Sequence, residues 1–237
     1  MDNSESLVVV TGGSKGIGRA ILERFANEKF TLVTCSRNET DLERLKEAFL
    51  KTYEVPVHVM KADLSKKEEA AGFISFVQSI GKTVEVLVNN SGKFIPGLVH
   101  EEEEGKLEQM IDTNLFSAYH VSRGLIPQMK KQKNGHIFNI CSVASLHAYP
   151  NGGSYSISKF AMYGFSKALR EEMKEFGIRV TAVLPGAVLT SSWDGVDLPE
   201  ERFIKSEDVA ETIYSAYQLS ERTVIEDLII RPQLGDI

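Results

Sequence analysis

The sequence predicts an α/β fold, a doubly wound parallel sheet of about seven strands with helices on both faces. Short β-branched runs alternate with amphipathic stretches of helix length from the start of the chain to its end, which is typical of strands joined by crossover helices. The strand-like runs are continuously apolar, as strands covered on both faces are. Together these observations predict one sheet between two layers of helices.

Seven runs have the length and composition of strands. In chain order they are Leu7 to Val10, Thr31 to Thr34, Val55 to Met60, Val84 to Val88, His136 to Ile140, Arg179 to Leu184 and Leu228 to Ile230.

Capping signals predict where several helices begin. Thr40 with Glu43, and Ser65 with Glu68, each match a capping box, in which a hydroxyl and a carboxylate satisfy backbone N–H groups reciprocally. Ser206 is followed by two acids, which predicts a cap and an acid-rich first turn for a late helix.

Four consecutive glutamates, Glu101 to Glu104, fit the solvated first turn of a long helix that ends near the lysines at 130 to 133. Acids at the start and cations at the end of a helix both complement its dipole. An acidic binding site is the less favoured interpretation, because charge runs are commonly solvated. Pro185, Gly186 and Pro199 make the segment after the sixth strand a loop, which we expect to border the pocket.

Composition and charge exclude several classes of protein. The 237 residues are 42% hydrophobic and 25% charged, as in a soluble single domain, and the net charge of -6 offers no basic field for nucleic acid. Residues 1–6 show no targeting pattern, so we expect a cytoplasmic protein with no nucleic-acid or membrane partner. Cys35 and Cys141 lie in apolar runs and are expected to be free structural thiols. The five histidines lack ligand spacing, so no metal is predicted.

A glycine-rich loop follows the first predicted strand and opens a helix. Gly12, Gly16 and Gly18 give it a tight turn, a close backbone approach and a helix N-terminus that can face an anion. The spacing differs from G-x-G-x-x-G, so on the glycines alone a plain strand-to-helix turn remains the alternative to a phosphate-binding loop.

The residues at the end of the second strand indicate which dinucleotide the loop would hold. An acid at this point accepts from the ribose hydroxyls of NAD, whereas this chain has Ser36 followed by Arg37. Arg37 can form charge-assisted bonds to a 2′-phosphate, and Lys15 supplies a second cation. The two cations favour NADP(H) over NAD(H), unless both are simply solvated surface charges.

Tyr155 and Lys159 lie four residues apart on a predicted helix and therefore share one face. A lysine ammonium within about 4 Å, at an effective dielectric near 20, favours phenolate by roughly 4 kcal/mol, or about three pKa units. We therefore expect Lys159 to lower the pKa of Tyr155. Ser142, at the end of the fifth strand, is placed to hold a carbonyl oxygen. A Tyr-x-x-x-Lys pair alone is commonly structural, but with the glycine loop it predicts hydride transfer.

In this combination of motifs the chain resembles the short-chain dehydrogenase/reductase family, in the branch with the Thr-Gly-x-x-x-Gly-x-Gly loop. The likeness runs from about Val8 to Thr190. It implies a Rossmann-like fold, direct hydride transfer between NADP(H) and a ketone or aldehyde without a metal, and a homodimer or homotetramer. It also implies a single catalytic domain, residues 1–237, with a short substrate lid at about 190–205.

The resemblance implies roles for individual residues. Asn114 matches the helix asparagine that holds a proton-relay water and completes a tetrad with Ser142, Tyr155 and Lys159. The residues expected to contact the cofactor are Thr11, Gly12, Ser14, Lys15, Gly16, Ile17, Gly18, Ser36, Arg37, Asp63, Leu64, Asn90, Gly92, Tyr155, Lys159, Pro185, Gly186, Val188 and Thr190.

The resemblance places four residues near the mouth of the pocket, Phe94, His147, Tyr149 and Trp193, which favours an aromatic or bulky apolar carbonyl substrate. Trp193 packing the lid against the domain is an equal alternative. A sepiapterin-reductase-like and a 3-oxoacyl-carrier-protein reductase activity both remain open, although the short lid and the C-terminal sequence weaken the second. An NADP-binding sensor or scaffold is the non-enzyme alternative.

The exposed-looking cluster of Phe160, Met162 and Phe165 is a candidate for the subunit interface that the resemblance implies. A core-facing position is the alternative for the same three residues.

Overall fold

The computed structural model describes residues 3–193 and 195–237. Its strands are β1 (Ser6–Thr11), β2 (Thr31–Ser36), β3 (Val57–Lys61), β4 (Thr83–Asn89), β5 (Gly135–Ile140), β6 (Ile178–Pro185) and β7 (Asp227–Ile230). They form a parallel sheet in the order β3-β2-β1-β4-β5-β6-β7. The predicted sheet is therefore confirmed, and each predicted strand overlaps an observed one.

Seven α-helices connect the strands in the described part of the chain. They are α1 (Gly16–Asn27), α2 (Glu39–Tyr53), α3 (Lys67–Ser79), α4 (Lys106–Ile111), α5 (Ser117–Gln132), α6 (Gly153–Met173) and α7 (Ser206–Tyr217). One apolar core forms between the sheet and α1, α2 and α7, and the other between the sheet and α3, α5 and α6. The continuously apolar strands are thus covered on both faces, as the sequence predicts. No helix among the residues described is long and apolar enough to cross a lipid bilayer.

Three predicted helix caps are wrong by one or two residues. Helix α2 begins at Glu39, and the side chain of Asn38 caps it by accepting from the Asp41 N–H at 3.2 Å, so Thr40 lies inside the helix. Helix α3 begins after Lys66, and the Ser65 hydroxyl donates instead to Asp63 Oδ1 at 2.7 Å. Helix α7 begins at Ser206 itself, which is therefore its first residue instead of its cap.

The long helix predicted after β4 begins later than expected and is not uniform. Its acidic run lies before α4, because Gly105 adopts a left-handed conformation (φ 84°) and the helix starts at the next residue. Helices α4 and α5 are joined by a π-helical turn, Asp112–Phe116. The helix ends at Gln132, close to the predicted end, and the backbone of the next residue, Lys133, is again left-handed.

The predicted apolar cluster on α6 is only partly exposed. Met162 is buried in a small core with Cys141, and Phe165 packs against the same core. Phe160 is 44% exposed, so it alone of the three presents a large apolar surface.

Both cysteines are free and buried, as predicted, and burial raises the pKa of Cys35 to about 12 and that of Cys141 to about 11.

The strand order determines where a ligand can bind. From β1 the chain builds the sheet outward to β3, then returns through β4 to the other side of β1 and continues to β7. The connections after β1 and β4 therefore lead to helices on opposite faces of the sheet, α1 and α5, and such a switch point opens a crevice at the carboxyl edge.

Candidate active site

A cavity of about 810 Å³ opens at the carboxyl edge of the sheet. Its walls come from the loops that follow β1 to β6 and from the first turns of α1 and α6. This is the switch-point crevice that the strand order creates, and its volume falls in the range of cofactor and ligand sites. Among the described residues no group of three or more His, Cys, Asp or Glu side chains is arranged to hold a metal ion.

The glycine loop between β1 and α1 is shaped by close backbone approaches. Gly12 has a φ of +68°, in the left-handed region that favours glycine, and its N–H donates to the Cys35 carbonyl at 3.0 Å. The Gly13 N–H donates to Thr34 Oγ1 at 3.0 Å. Helix α1 then starts at Gly16 with no side chain capping its first N–H groups. Uncapped N–H groups that face a cavity suit a phosphate, so the loop fits a dinucleotide.

Seventeen of the nineteen residues expected to contact the cofactor line this cavity. They are Gly12, Ser14, Lys15, Gly16, Ile17, Ser36, Arg37, Asp63, Leu64, Asn90, Gly92, Tyr155, Lys159, Pro185, Gly186, Val188 and Thr190. The structure therefore brings together residues from six separate segments of the chain.

The other two, Thr11 and Gly18, do not line the cavity but hold its wall together. The Thr11 hydroxyl accepts from the N–H groups of Asn90 at 2.9 Å and Ser91 at 3.0 Å. Gly18 packs so closely that a Cβ there would lie 2.5 Å from the side-chain nitrogen of Asn90. Both residues thus act on the loop after β4, a supporting role that the sequence alone did not indicate.

The cavity wall carries the charges that the sequence singled out for cofactor choice. Arg37 and Lys15 line it, and the Ser14 hydroxyl donates to Ser36 Oγ at 3.1 Å. Although burial opposes the change, hydrogen bonds from Ser65 and the charge of Arg37 lower the pKa of Asp63. Asp63 is therefore ionised, and it lines the cavity within reach of the charge of Arg37.

Ser142, Tyr155 and Lys159 also line this cavity. Ser142 directly follows β5, and Tyr155 and Lys159 lie on the first two turns of α6. The Lys159 ammonium is buried and donates to the Ile140 carbonyl at 2.8 Å. The Ser142 side chain lies near enough to Tyr155 to act on the pKa of its hydroxyl. The three predicted catalytic side chains are therefore close enough to act on one bound group.

The pKa of Tyr155 moves in the direction opposite to the sequence-based expectation. Burial raises it, although the Ser142 side chain opposes the rise. Burial also lowers the pKa of Lys159, whose ammonium lies 5.8 Å from the Tyr155 ring centroid and bonds to the backbone. Desolvation therefore outweighs the expected effect of the lysine. A raised pKa keeps Tyr155 protonated at neutral pH, which is the form that donates a proton.

Asn114 is buried in the π-helical turn and clamps the loop after β4. Its Oδ1 accepts from the Lys93 N–H at 2.7 Å, and its amide nitrogen donates to the Lys93 carbonyl at 3.0 Å and to the Ser158 hydroxyl at 2.8 Å. It thus bonds to the helical turn that carries Lys159. Asn114 does not itself line the cavity.

The four residues predicted for the substrate pocket all line the cavity: Phe94, His147, Tyr149 and Trp193. The Phe94 ring packs edge-on against Tyr155, with centroids 4.9 Å apart. Trp193 also packs against Phe203, with centroids 5.3 Å apart, and both rings belong to the segment 190–205. Burial raises the pKa of Tyr149 to about 12.

The C-terminal segment supplies cavity residues that the sequence reasoning missed. Arg231, Asp236 and Ile237 line the cavity, and Arg231 forms an ion pair with Asp236. Asp236 Oδ1 lies 3.1 Å from where a Cβ on Gly186 would be, so the segment covers the loop after β6. No motif marks these residues, and only the strand that precedes them could have indicated where they return to the sheet.

Comparison with known proteins agrees with this fold. The sequence model described as short chain dehydrogenase matches residues 6–200. A sepiapterin reductase of Chlorobaculum tepidum is 31% identical over 98% of each chain. Among solved structures, an alcohol dehydrogenase from the archaeon Thermococcus sibiricus, complexed with 5-hydroxy-NADP, superposes with a TM-score of 0.91 at 25% identity over 98% of each chain. The L-sorbose reductase of Gluconobacter frateurii, complexed with NADPH and L-sorbose, gives 0.89 at 25% identity over 98% of each chain.

The packing of Gly18 predicts a test of the glycine loop. Gly18→Ala places a methyl group 2.5 Å from the Asn90 side chain and 2.6 Å from the Gly12 carbonyl. Such overpacking costs about 1–3 kcal/mol, and we expect NADPH to bind about tenfold more weakly in a fluorescence titration. The matched control is Gly72→Ala in α3, where the nearest atom is the end of Met60 at 3.4 Å. Equal affinity in the two variants would contradict the role of Gly18.

Proposed function

The chain belongs to the short-chain dehydrogenase family, and from that premise we propose that it is an NADPH-dependent carbonyl reductase acting on a ketone or an aldehyde. The observation that carries the proposal is that Ser142, Tyr155 and Lys159 line the same cavity as the glycine loop. That arrangement brings a dinucleotide site and a proton donor to the same carbonyl.

The residues of the site fit NADP(H). The uncapped start of α1 suits the pyrophosphate, and Gly12 lets the backbone approach it. Arg37 and Lys15 supply two cations for a 2′-phosphate, where an enzyme preferring NAD has an acid. We therefore propose a preference for NADPH over NADH. The solved relatives complexed with NADPH and with 5-hydroxy-NADP support it.

In the proposed reaction the bound NADPH supplies a hydride to the carbonyl carbon. Ser142 holds the carbonyl oxygen, and Tyr155 donates its hydroxyl proton to that oxygen as the alcohol forms. Lys159 lies one helical turn after Tyr155 on α6, and its ammonium would bond to a ribose hydroxyl and stabilise the phenolate that remains. Asn114 fixes the loop at Lys93 and the helical turn of Ser158, and we assign it the water that returns a proton to Tyr155.

The lining of the substrate end indicates the class of carbonyl compound. Phe94, Tyr149 and Trp193 present aromatic surface in the cavity that Tyr155 lines, which favours an aromatic or bulky apolar substrate. A sepiapterin-reductase-like activity is the second candidate, because the relative of that name matches nearly the whole chain.

Residues 190–205, of which Asp194 lies outside the described part, would form a lid on a single catalytic domain. The bridge between Val188 and Ile204 holds the two ends of that segment together.

We propose that the protein forms a homodimer or homotetramer through the outer faces of α5 and α6. Ile157 and Phe160 of α6, and Phe116 in the π-helical turn just before α5, are each more than 40% exposed, although large apolar side chains favour burial. Phe160→Glu should lower the mass measured by light scattering to that of a monomer. Leu50→Glu, at a 64% exposed position on α2, is the control and should leave the mass unchanged. A monomeric wild type would contradict the proposal.

Tyr155→Phe tests the proton donor. It removes one hydroxyl and keeps the ring that packs against Phe94, so we expect turnover to fall at least about 10²-fold, the usual contribution of a general acid, with NADPH affinity unchanged. NADPH oxidation is measured on aromatic aldehydes, α-diketones, a pterin side-chain diketone mimic, steroids and a β-ketoacyl thioester. Tyr119→Phe, outside the cavity, is the control.

The raised pKa of Tyr155 also predicts the pH dependence of the reaction. The rate of reduction by the wild type should stay constant through neutral pH and fall only above a pH of about 10, the ordinary pKa of tyrosine.

Turnover that survives in Tyr155→Phe would refute the assigned role. NADPH binding without turnover of any compound would favour the sensor or scaffold alternative.

Arg37→Ala tests the cofactor preference. Charge-assisted hydrogen bonds contribute about 1.5–3 kcal/mol, so we expect the KM for NADPH to rise roughly 10- to 100-fold while the KM for NADH changes little. Arg44→Ala, at an exposed arginine of α2, is the matched control. If both cofactors lose affinity equally, Arg37 does not recognise the 2′-phosphate.

A further inference from the structure

One glutamate of the acidic run before α4 differs from its three neighbours. Glu101, Glu103 and Glu104 are exposed, whereas Glu102 is partly buried. A turn that closes with the Glu102 N–H donating to the Leu98 carbonyl at 3.0 Å directs its side chain toward the start of α6. The run is therefore more than a solvated surface.

The Glu102 carboxylate bonds twice to the residue that precedes the proposed proton donor. Its Oε1 accepts from the Ser154 N–H at 2.9 Å, and its Oε2 accepts from the Ser154 hydroxyl. Ser154 is buried in the first turn of α6, where no side chain of the helix itself provides a cap. Glu102 therefore caps α6 from a segment about fifty residues earlier in the chain. The same hydrogen bonds lower the pKa of Glu102, so it is ionised at neutral pH.

The backbone around this carboxylate leaves space for it. A Cβ on Gly97 would lie 2.8 Å from Glu102 Oε1, and a Cβ on Gly153 would overlap the same oxygen. Gly153 also has a φ of +33°, which favours glycine. The Gly97 N–H donates to the Asn151 carbonyl at 3.0 Å, and Gly97 pairs with Gly152 in a parallel bridge. Two glycines and a backbone bridge thus form a cradle for one side chain.

The loop that carries Glu102 also contacts Tyr155 at its ring. At the other end of this loop the Lys93 N–H is held by Asn114, and the next residue, Phe94, packs edge-on against the Tyr155 ring. The loop therefore holds Tyr155 at two points, through its ring and through the backbone of the preceding residue.

We infer that Glu102 is a positioning residue for Tyr155, which locks the first turn of α6 to the loop after β4 and so fixes the hydroxyl against the substrate carbonyl. The inference rests on the proposed function, since it concerns the proton donor of that reaction. A displacement of about 1 Å at a reacting group can cost 100-fold in rate, so losing the cap should affect turnover far more than cofactor binding.

The test compares three variants with the wild type on a carbonyl compound that the wild type reduces in the Tyr155→Phe experiment. Glu102→Ala removes both acceptors and should lower kcat at least about tenfold, with the NADPH Kd within about twofold. Glu102→Gln keeps one amide oxygen that can accept from the Ser154 N–H, so its kcat should be higher than that of Glu102→Ala. Glu103→Gln removes the same charge from an exposed neighbour outside the cradle and should match the wild type.

Amide hydrogen exchange provides a readout that does not depend on turnover. Glu102→Ala should speed exchange in a peptide covering residues 152–158, and Glu103→Gln should not. Wild-type kcat in folded Glu102→Ala overturns the inference. A joint fall in kcat, in NADPH affinity and in exchange protection along all of α6 also overturns it, because that is the pattern of a purely structural cap. If Glu102→Ala does not fold, kcat, NADPH affinity and amide exchange are measured on Glu102→Gln and decide in the same way. If the wild type reduces no carbonyl, the proposed function fails, while local exchange still decides whether Glu102 positions this turn.

Discussion

The pairing of β1 with β4 is the constraint on which the site depends. These strands are far apart in the chain yet adjacent in the sheet, so the glycine loop and the loop after β4 emerge side by side. One hydroxyl, that of Thr11, then satisfies two N–H groups of the second loop, and the Asn90 amide donates back to the carbonyls of Thr11 and Gly12. Because buried backbone groups must be paired, this exchange fixes the two loops relative to each other.

A second buried polar network holds α6 to the sheet. The Asn89 amide donates to Asn139 and to Ser122 of α5, and the Asn139 amide donates to Ser166 of α6. All four side chains are buried, so each bond forms where water cannot replace it. Lys159 adds a buried ammonium bonded to the Ile140 carbonyl. Burying the charge of Lys159 lowers the stability of the fold. A buried charge of this kind is typical of a functional site.

The sequence predicts the sheet well because continuous apolar runs have few other ways to be buried. It predicts the caps poorly, since several hydroxyl and amide side chains compete near each helix start, and Asn38 caps where Thr40 was expected. Spacing alone places Tyr155 and Lys159 on one face, but it contains no information on desolvation, so the direction of the pKa shift was wrong. The contributions of Glu102 and Asp236 depend on loops whose return to the site no local pattern encodes.

The π-helical turn at Asp112–Phe116 makes the length of this helix critical. Each α-helical residue advances about 100° around the axis, so the extra residue of the wider turn sets the phase between the faces of α4 and α5. Loss of one residue there would restore a regular helix and rotate Asn114 away from Lys93 and Ser158, while the apolar face of α5 stayed on the sheet. This stretch should therefore tolerate substitution at its solvent-facing positions more readily than a change in length.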